Sequence, residues 1–384
     1  MSRLRTGTEV SGEVPDTREL IDGLRRFDRL VELHASSFYA RHRDELERIL
    51  ATPLGGGPAH APAAVPRTLR CVQWNIEKGL RYEGIARALR THPVLSAADV
   101  VMLNEVDLGM ARSGNRHIAR ELAAQLDMHW AFAPAHIEMT KGVGAELDAE
   151  GENAVGMQGN AILSRYPLAG VRVVRLACCF EPYHFHEKRY GGRVAISAHI
   201  DTAAGPMQIV GTHLEVRNTP GCRARQMRDI TRITGRRGRA LVGGDLNCST
   251  FERGTFLRTL AGTARLVGDV DRLFADLRDP RAREPLFLEL RRAGLRVEGW
   301  NTDDVTIVER IDALEDARLL PGFLVKALRR RIDRMGSKLP MRLDWFAGRE
   351  IEGRNPQTLR DIAGDDGQRV SDHDPISVDV VSAG

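Results

Sequence analysis

Apolar positions recur along this chain with two different periods, and the switch between them marks out the elements. Leu20, Leu24, Phe27, Leu30, Val31 and Leu33 fall three or four apart with charged residues between them. That spacing predicts helix from about Asp16 to Leu50. The run Thr52-Pro53-Leu54-Gly55-Gly56-Gly57-Pro58, then alanines and prolines to Pro66, has no periodicity and reads as a linker. Beyond Arg67, strand-like runs and helical stretches interleave. Leu69–Trp74 alternates like a strand, and Asp99–Leu103 is the continuous apolar run of a strand covered on both faces. Further strands are predicted at Asn160–Leu163, Val171–Leu176, Val194–Ile200, Gln208–Thr212, Ala240–Gly243, Arg342–Phe346 and Ile376–Val381. Helices are predicted around Ile85–Leu89, Asn115–Leu126, Cys222–Thr234 and Pro285–Arg292. Glu138–Met157, rich in glycine and acids, reads as a surface loop, and the basic run Lys326–Arg331 as a solvated helix face.

The strands between Val171 and Thr212 follow one another with no helix between them. The order is therefore not a simple strand–helix alternation, and an α/β protein with mixed or antiparallel sheets is expected. The N-terminal helices and the linker, residues 1–66, read as an arm or lid ahead of one large domain, residues 67–384.

Bulk composition narrows the class. The chain has 384 residues, is 42% hydrophobic and 28% charged, and carries a formal charge of +4. This mild excess suits an anionic substrate without identifying nucleic acid. No apolar run approaches the roughly 18 residues of a membrane span. Met1-Ser2-Arg3-Leu4-Arg5 leads into polar sequence, so no secretory signal and no membrane insertion are expected, and a cytoplasmic location follows. Cys71, Cys178, Cys179, Cys222 and Cys248 are odd in number and lack CxxC spacing, which points to free thiols. The oligomeric state is not legible.

The chemistry sits at the ends of the apolar runs. Trp74-Asn75-Ile76-Glu77, Asn104-Glu105, Thr212-His213-Leu214, Gly244-Asp245-Leu246-Asn247, Leu343-Asp344-Trp345 and Ser371-Asp372-His373 each follow or flank a strand-like stretch. If those strands pack, their ends converge on one cleft. Carboxylates and amide oxygens are hard donors that suit Mg²⁺ or Mn²⁺ better than zinc. Asn75, Glu77, Glu105, Asp245, Asn247 and Asp372 are the candidate metal ligands. His213, Asp245, Asn247, Asp344 and His373 are the candidate catalytic groups. Asp245 would orient or deprotonate water, the histidines would exchange protons, and Asp344 would set a histidine's tautomer.

These clusters, in this order, resemble the endonuclease/exonuclease/phosphatase superfamily from roughly Arg67 to the C-terminus. Asn104 stands where that family usually has glutamine. Gly159-Asn160-Ala161-Ile162-Leu163-Ser164-Arg165 resembles its mid-domain strand. The resemblance implies a four-layer αββα sandwich and a Mg²⁺- or Mn²⁺-dependent hydrolase of phosphate esters, phosphodiesters above all. Departures around Cys248-Ser249-Thr250 and Met341–Trp345 separate the chain from the inositol polyphosphate 5-phosphatase branch. His213, where repair endonucleases carry tyrosine, separates it from that branch. A DNA or RNA nuclease is one alternative. An inactive scaffold binding partners through its N-terminal helices is another. His184 and His186, and Arg112, Arg116 and Arg193, are weaker candidates for metal and phosphate contacts.

Overall fold

The computed structural model describes residues 10–59, 64–184, 187–248, 270–310, 330 and 338–381. Phe185, His186 and, apart from Arg330, the basic run at 326–331 lie outside them.

The N-terminal periodicity resolves into three helices: α1 (Arg18–Arg25), α2 (Leu30–His34) and α3 (Ser37–Ala51). The break before α3 has a local cause. Ser36 is extended, and its hydroxyl accepts a hydrogen bond from the Tyr39 amide at 3.0 Å, capping a new helix. The glycine-rich run expected as a linker instead contributes β1 (Leu54–Gly56). The chain continues through β2 (Thr68–Asn75), α4 (Tyr82–Thr91), β3 (Val100–Leu108), α5 (Ile118–Leu126), β4 (His129–Glu138), β5 (Met157–Ser164) and β6 (Ala169–Arg175). There follow β7 (Arg189–Gly191), β8 (Val194–Thr202), β9 (Gly205–His213), α6 (Pro220–Thr234) and β10 (Arg239–Asp245). Then come α7 (Val270–Arg278), α8 (Leu286–Arg292), β11 (Ile307–Arg310), β12 (Lys338–Met341), β13 (Asp344–Arg349), β14 (Glu352–Thr358) and β15 (Ile376–Val381).

Two sheets pack face to face. The first runs β1-β4-β5-β3-β2-β15-β14, with β7 also paired to β4; the second runs β13-β10-β9-β8-β6. Strands β11 and β12 pair separately. β2 runs parallel to β3 and β9 parallel to β10, and in each case one helix, α4 or α6, makes the crossover. The other ladders are antiparallel.

Strand residues alternate between two apolar layers, which explains the continuous apolar runs. Cys71, Met102, Ile162, Ile196, Ile209, Leu241 and Phe346 fill the space between the sheets. Val72, Trp74, Val101 and Leu103 face outward, against Ile85, Leu89 and Leu122 and against Leu20, Leu24 and Leu46 of the N-terminal helices. On the far side Val210, Val242 and Trp345 meet Met227 and Ile230 of α6 and Phe287 and Leu290 of α8. This is the four-layer αββα sandwich. Burial contributes about 1.5–3 kcal/mol per large apolar side chain, so Leu20, Ile21, Leu24, Leu33, Leu46, Ile49 and Leu50 hold the N-terminal helices firmly on the first sheet. Among the described residues no helix is long and apolar enough to cross a membrane.

Cys179 and Cys222 form a disulfide with Cα atoms 6.0 Å apart, while Cys71, Cys178 and Cys248 are free. The expectation of free thiols throughout is corrected for this pair. The two are 43 residues apart and meet because the loop after β6 returns against the start of α6. Spacing in the chain carries no sign of that.

The apolar space between the sheets ends in a buried chain of amides. Gln73 Nε2 donates to Asn104 Oδ1 (3.0 Å), Asn104 Nδ2 to Asn160 Oδ1 (2.9 Å), and Asn160 Nδ2 to the Val194 carbonyl (2.9 Å). The Asp245 amide also donates to Asn104 Oδ1, at 2.9 Å. These contacts tie β2, β3 and β5 of one sheet to β8 and β10 of the other. Asn104→Ala would strip partners from the Gln73, Asn160 and Asp245 groups. An unsatisfied buried group costs about 1–3 kcal/mol. The expected loss is about 2–5 kcal/mol in denaturant unfolding; a loss below about 1 kcal/mol would refute the bridging role.

Candidate active site

Strand register brings the polar clusters together. Asn75 ends β2 opposite Asn104; Asp245 ends β10 between His213 of β9 and Asp344 of β13. Across the sheets, Asn75 Nδ2 donates to Asp245 Oδ2 (3.1 Å) and to Glu105 Oε1 (3.3 Å). Asp372 and His373 arrive from the segment before β15. The Asp372 amide donates to Glu77 Oε2 (3.2 Å), and Trp74 Nε1 donates to the His373 carbonyl (3.0 Å). Asn75, Glu77, Glu105, His213, Asp245, Asn247, Asp344, Asp372 and His373 therefore gather at one end of the sandwich.

Glu105 differs from expectation in one respect. It does not end its strand but lies inside β3, where the register with β5 shifts between Leu103 and Val106. Such a bulge re-aims a side chain. Glu105 has φ 53°, and Glu77 (47°), Lys78 (63°) and Asn247 (47°) are also left-handed. Each such residue costs on the order of 1–3 kcal/mol and persists only where its surroundings hold it. Here the Glu77 amide donates to Asn75 Oδ1 (3.1 Å) and the Asn247 amide to Asp245 Oδ1 (2.9 Å).

The site has an imidazole pole and a carboxylate pole. At the first, His373 Nδ1 donates to Asp344 Oδ2 at 2.8 Å. Asp344 is held in turn by Thr306, whose Oγ1 accepts from the Leu343 and Asp344 amides at 3.1 and 3.2 Å. Burial alone would lower the His373 pKa, but Asp344 and Asp372 outweigh it and hold the ring protonated well above the usual range. Asp245 Oδ2 lies 3.4 Å from His213 Nε2 and 3.8 Å from His373 Nε2. Burial raises the Asp245 carboxyl against the pull of both histidines. His213 is driven down to about 4 by burial and then by Arg193, so it is neutral at physiological pH.

At the second pole, Glu77 is pushed up to about 7 by burial and by the Asp372 and Glu105 carboxylates. Burial opposes ionisation of Glu105 too, but His213, Lys78, Arg193 and the Asn75 amide bring it down to about 2. With His213 neutral, the cations acting at neutral pH are Lys78 and Arg193. Mutual repulsion of carboxylates around an amide oxygen is what a hard divalent cation relieves, so Glu77, Glu105, Asp372 and Asn75 fit Mg²⁺ or Mn²⁺. Oxygen and nitrogen atoms of Asp245, Asp344 and His373 also lie within 4.8 Å of one another. Because Nδ1 of His373 is committed to Asp344, that group is better suited to proton transfer.

Sequence reasoning missed the supports Gln73, Thr306 and Lys78, which lie within or beside the strands with no motif of their own, and it gave Asn160, though part of the mid-domain strand motif, no role in the site. Of the three arginines set apart from the sequence, two go elsewhere. Arg112 has no exposed side-chain surface and grips Asp107 in a fork at 2.8 and 2.9 Å. Arg116 lies over the Tyr82 ring at 4.2 Å and pairs with Glu83 and Glu121. Arg193 stays near the site, 3.5 Å from Glu215.

A four-layer sandwich with acids and imidazoles gathered at one edge of its sheets defines a class of hydrolase. Residues 72–373, most of the chain, match the Endonuclease/Exonuclease/phosphatase family, and the protein belongs to it. No curated protein matches closely enough to count as a relative. Among solved structures, the chain is similar to an endonuclease/exonuclease/phosphatase from Beutenbergia cavernae, with 17% identity and a TM-score of 0.48 over 83% of this chain and 72% of that one. It is similar to the human Nocturnin catalytic domain with bound sulfate, with 16% identity and a TM-score of 0.44 over 84% and 97% of the two chains. A humanized D. rerio TDP2 gives 15% identity and a TM-score of 0.42 over 82% and 99%.

The depressed His213 has a measurable consequence. Without metal, the folded protein refuses this proton until about pH 4, whereas the unfolded chain takes it up near 6.5. The unfolded state binds more protons across that window, so stability falls as pH drops from about 6.5 to 4. Denaturant unfolding in EDTA at pH 7 and pH 5 should show a smaller drop for His213→Asn than for wild type. Equal drops would remove His213 as the cause.

Proposed function

We propose that the protein is a Mg²⁺- or Mn²⁺-dependent hydrolase of phosphate esters, phosphodiesters first, in which water attacks phosphorus in line with the departing oxygen. The observation that supports this most directly is the Asn75 amide. It bridges Glu105 and Asp245, at 3.3 and 3.1 Å, while His373 approaches the same Asp245 oxygen. Residues scattered over the whole chain thereby meet at one site, in which Asn75, Asp245 and His373 are buried.

Glu77, Glu105 and Asp372, with Asn75, would hold the cation, whose charge would stabilise the phosphate oxygens. Asp245 orients the water and takes its proton; its raised pKa suits a base. His373, charged against Asp344, is the proton donor to the phosphate or the leaving oxygen. Neutral His213 stands beside Asp245 and steadies it. Asn247 gives one of its two side-chain N–H groups to the Leu214 carbonyl at 2.9 Å, which leaves the second for a non-bridging oxygen.

With Mg²⁺ and bis-p-nitrophenyl phosphate, Asp245→Ala and His373→Ala should each lose about 10²-fold or more in kcat, and EDTA should abolish turnover. Either variant retaining near-wild-type rates would overturn these roles. No turnover by wild type on any diester would favour the scaffold alternative. Nicking of plasmid that weakens as salt rises would identify nucleic acid as the diester.

A further inference from the structure

Behind the carboxylate pole lies a second buried cluster that hydrolysis does not use. Lys78, Arg112 and Arg189 face Asp107, Glu138, Glu146 and Glu187. Lys78 Nζ is 2.5 Å from Glu146 Oε1 and 3.9 Å from Glu187 Oε1. Arg112 reaches Glu146 at 3.2 Å and Glu187 at 2.5 Å while gripping Asp107. Arg189 pairs with Glu138 at 3.1 Å and with Glu187. The side chains of Arg112, Asp107 and Glu138 are 0% exposed, and those of Lys78 and Glu146 14%. Buried charges in this number are tolerable only when every one has a partner.

The cluster meets the site at two points. Lys78 directly follows Glu77, and Asp107 follows Glu105 by two positions on β3. Glu77, Lys78 and Glu105 all hold left-handed backbone. A lysine has no intrinsic reason to do so. Its ammonium is held by Glu187 at 3.9 Å and more closely by Glu146, from the acidic loop that the sequence reading placed on the surface. That loop is held from behind. Arg25 Nε of α1 donates to the Met139 carbonyl at 2.7 Å, and Thr17 Oγ1 donates to the Val155 carbonyl. The segment carrying Glu187 is held likewise, through Tyr183 Oη to the Leu24 carbonyl at 2.5 Å and Lys188 Nζ to the Arg25 carbonyl at 3.2 Å.

We propose that Lys78 is a positioning residue: its pairing with Glu146 and Glu187 fixes the left-handed Glu77–Lys78 turn and so sets where the Glu77 carboxylate stands beside Glu105. The inference rests on the reading of these carboxylates as a cation site and adds a residue that touches neither metal nor substrate. Its test is Mn²⁺ binding to metal-free protein, followed by electron paramagnetic resonance, in wild type, Lys78→Met, Lys78→Arg and Glu146→Gln. Supports of this kind change metal affinity by about 10- to 100-fold. Lys78→Met and Glu146→Gln should weaken Mn²⁺ binding by about 10-fold or more without loss of cooperative thermal unfolding. Lys78→Arg should recover most of that loss, and high Mg²⁺ should restore kcat in the weakened variants. If Lys78→Met fails to fold, Glu146→Gln decides alone. Wild-type affinity in the folded variants, or no recovery by arginine, would overturn the proposal. Absence of Mn²⁺ binding by wild type would overturn the underlying cation-site reading instead.

Discussion

The side-chain amide of Asn104 holds the two sheets in register at the end where the chemistry lies. Between the sheets lies mainly an apolar layer, and apolar contacts are non-directional and tolerate sliding. Hydrogen bonds are directional, and a one-residue slip in a strand turns each side chain to the opposite face. By accepting from the Asp245 backbone and from Gln73 while donating to Asn160, Asn104 closes off such slips. Its neighbour Glu105 and the bonded Asp245 are thereby set relative to each other across the interface. The bulge at Glu105 then turns that carboxylate toward Asn75.

Within that frame, the buried imidazole pole and the more open carboxylate pole hold their charges differently. Low dielectric penalises every charge, and the outcome depends on the partner. Asp344 sits against His373 and keeps it charged; His213 has Arg193 near it and stays neutral. Glu77 shares space with Asp372 and Glu105 and is driven up, while Glu105, closer in effect to Lys78 and Arg193, remains ionised. Asp245 thus joins the two: its Oδ2 lies near His213 and His373 and accepts from Asn75, which also donates to Glu105. The proposed hydrolysis of a phosphate ester calls for that polarity: positive charge near its oxygens and a base for the attacking water.

Much of this was legible in the sequence, because strands covered on both faces produce long apolar runs and the candidate catalytic groups sit where those runs stop. Asn75, His213, Asp245 and Asp344 mark strand ends, as the sequence pattern implies. What escaped had physical reasons. β4 is rich in alanine and contains Pro134, which argues against a strand until the register shift beside it is seen to accommodate the proline. β14 is a polar edge strand with no apolar period to read, and its own shift falls around Pro356. The Cys179–Cys222 pairing and the supports of Asp344 and Glu77 depend on contacts between distant segments. The substitution of Asn104 for the family's usual glutamine was visible, but its use as a bridge between sheets was not.

The N-terminal helices take on a different meaning in this light. Read alone, their amphipathic spacing fits either a partner-binding arm or a lid on the core. Their apolar faces pack on the outer side of the first sheet, and their backbone carbonyls serve two loops. Carbonyls of Leu24, Arg25 and Phe27 receive Tyr183 and Lys188, and Arg25 reaches out to Met139. Those loops deliver Glu187 and Glu146 to Lys78 and Arg112. A charged wall of this kind cannot be stabilised by packing, because loosening it admits water that competes for every pair. It keeps its shape only while the apolar layer beneath it excludes that water. Burial of Leu20, Ile21 and Leu24 in α1 and the placing of a carboxylate at Glu77 are consequently two ends of one continuous structure.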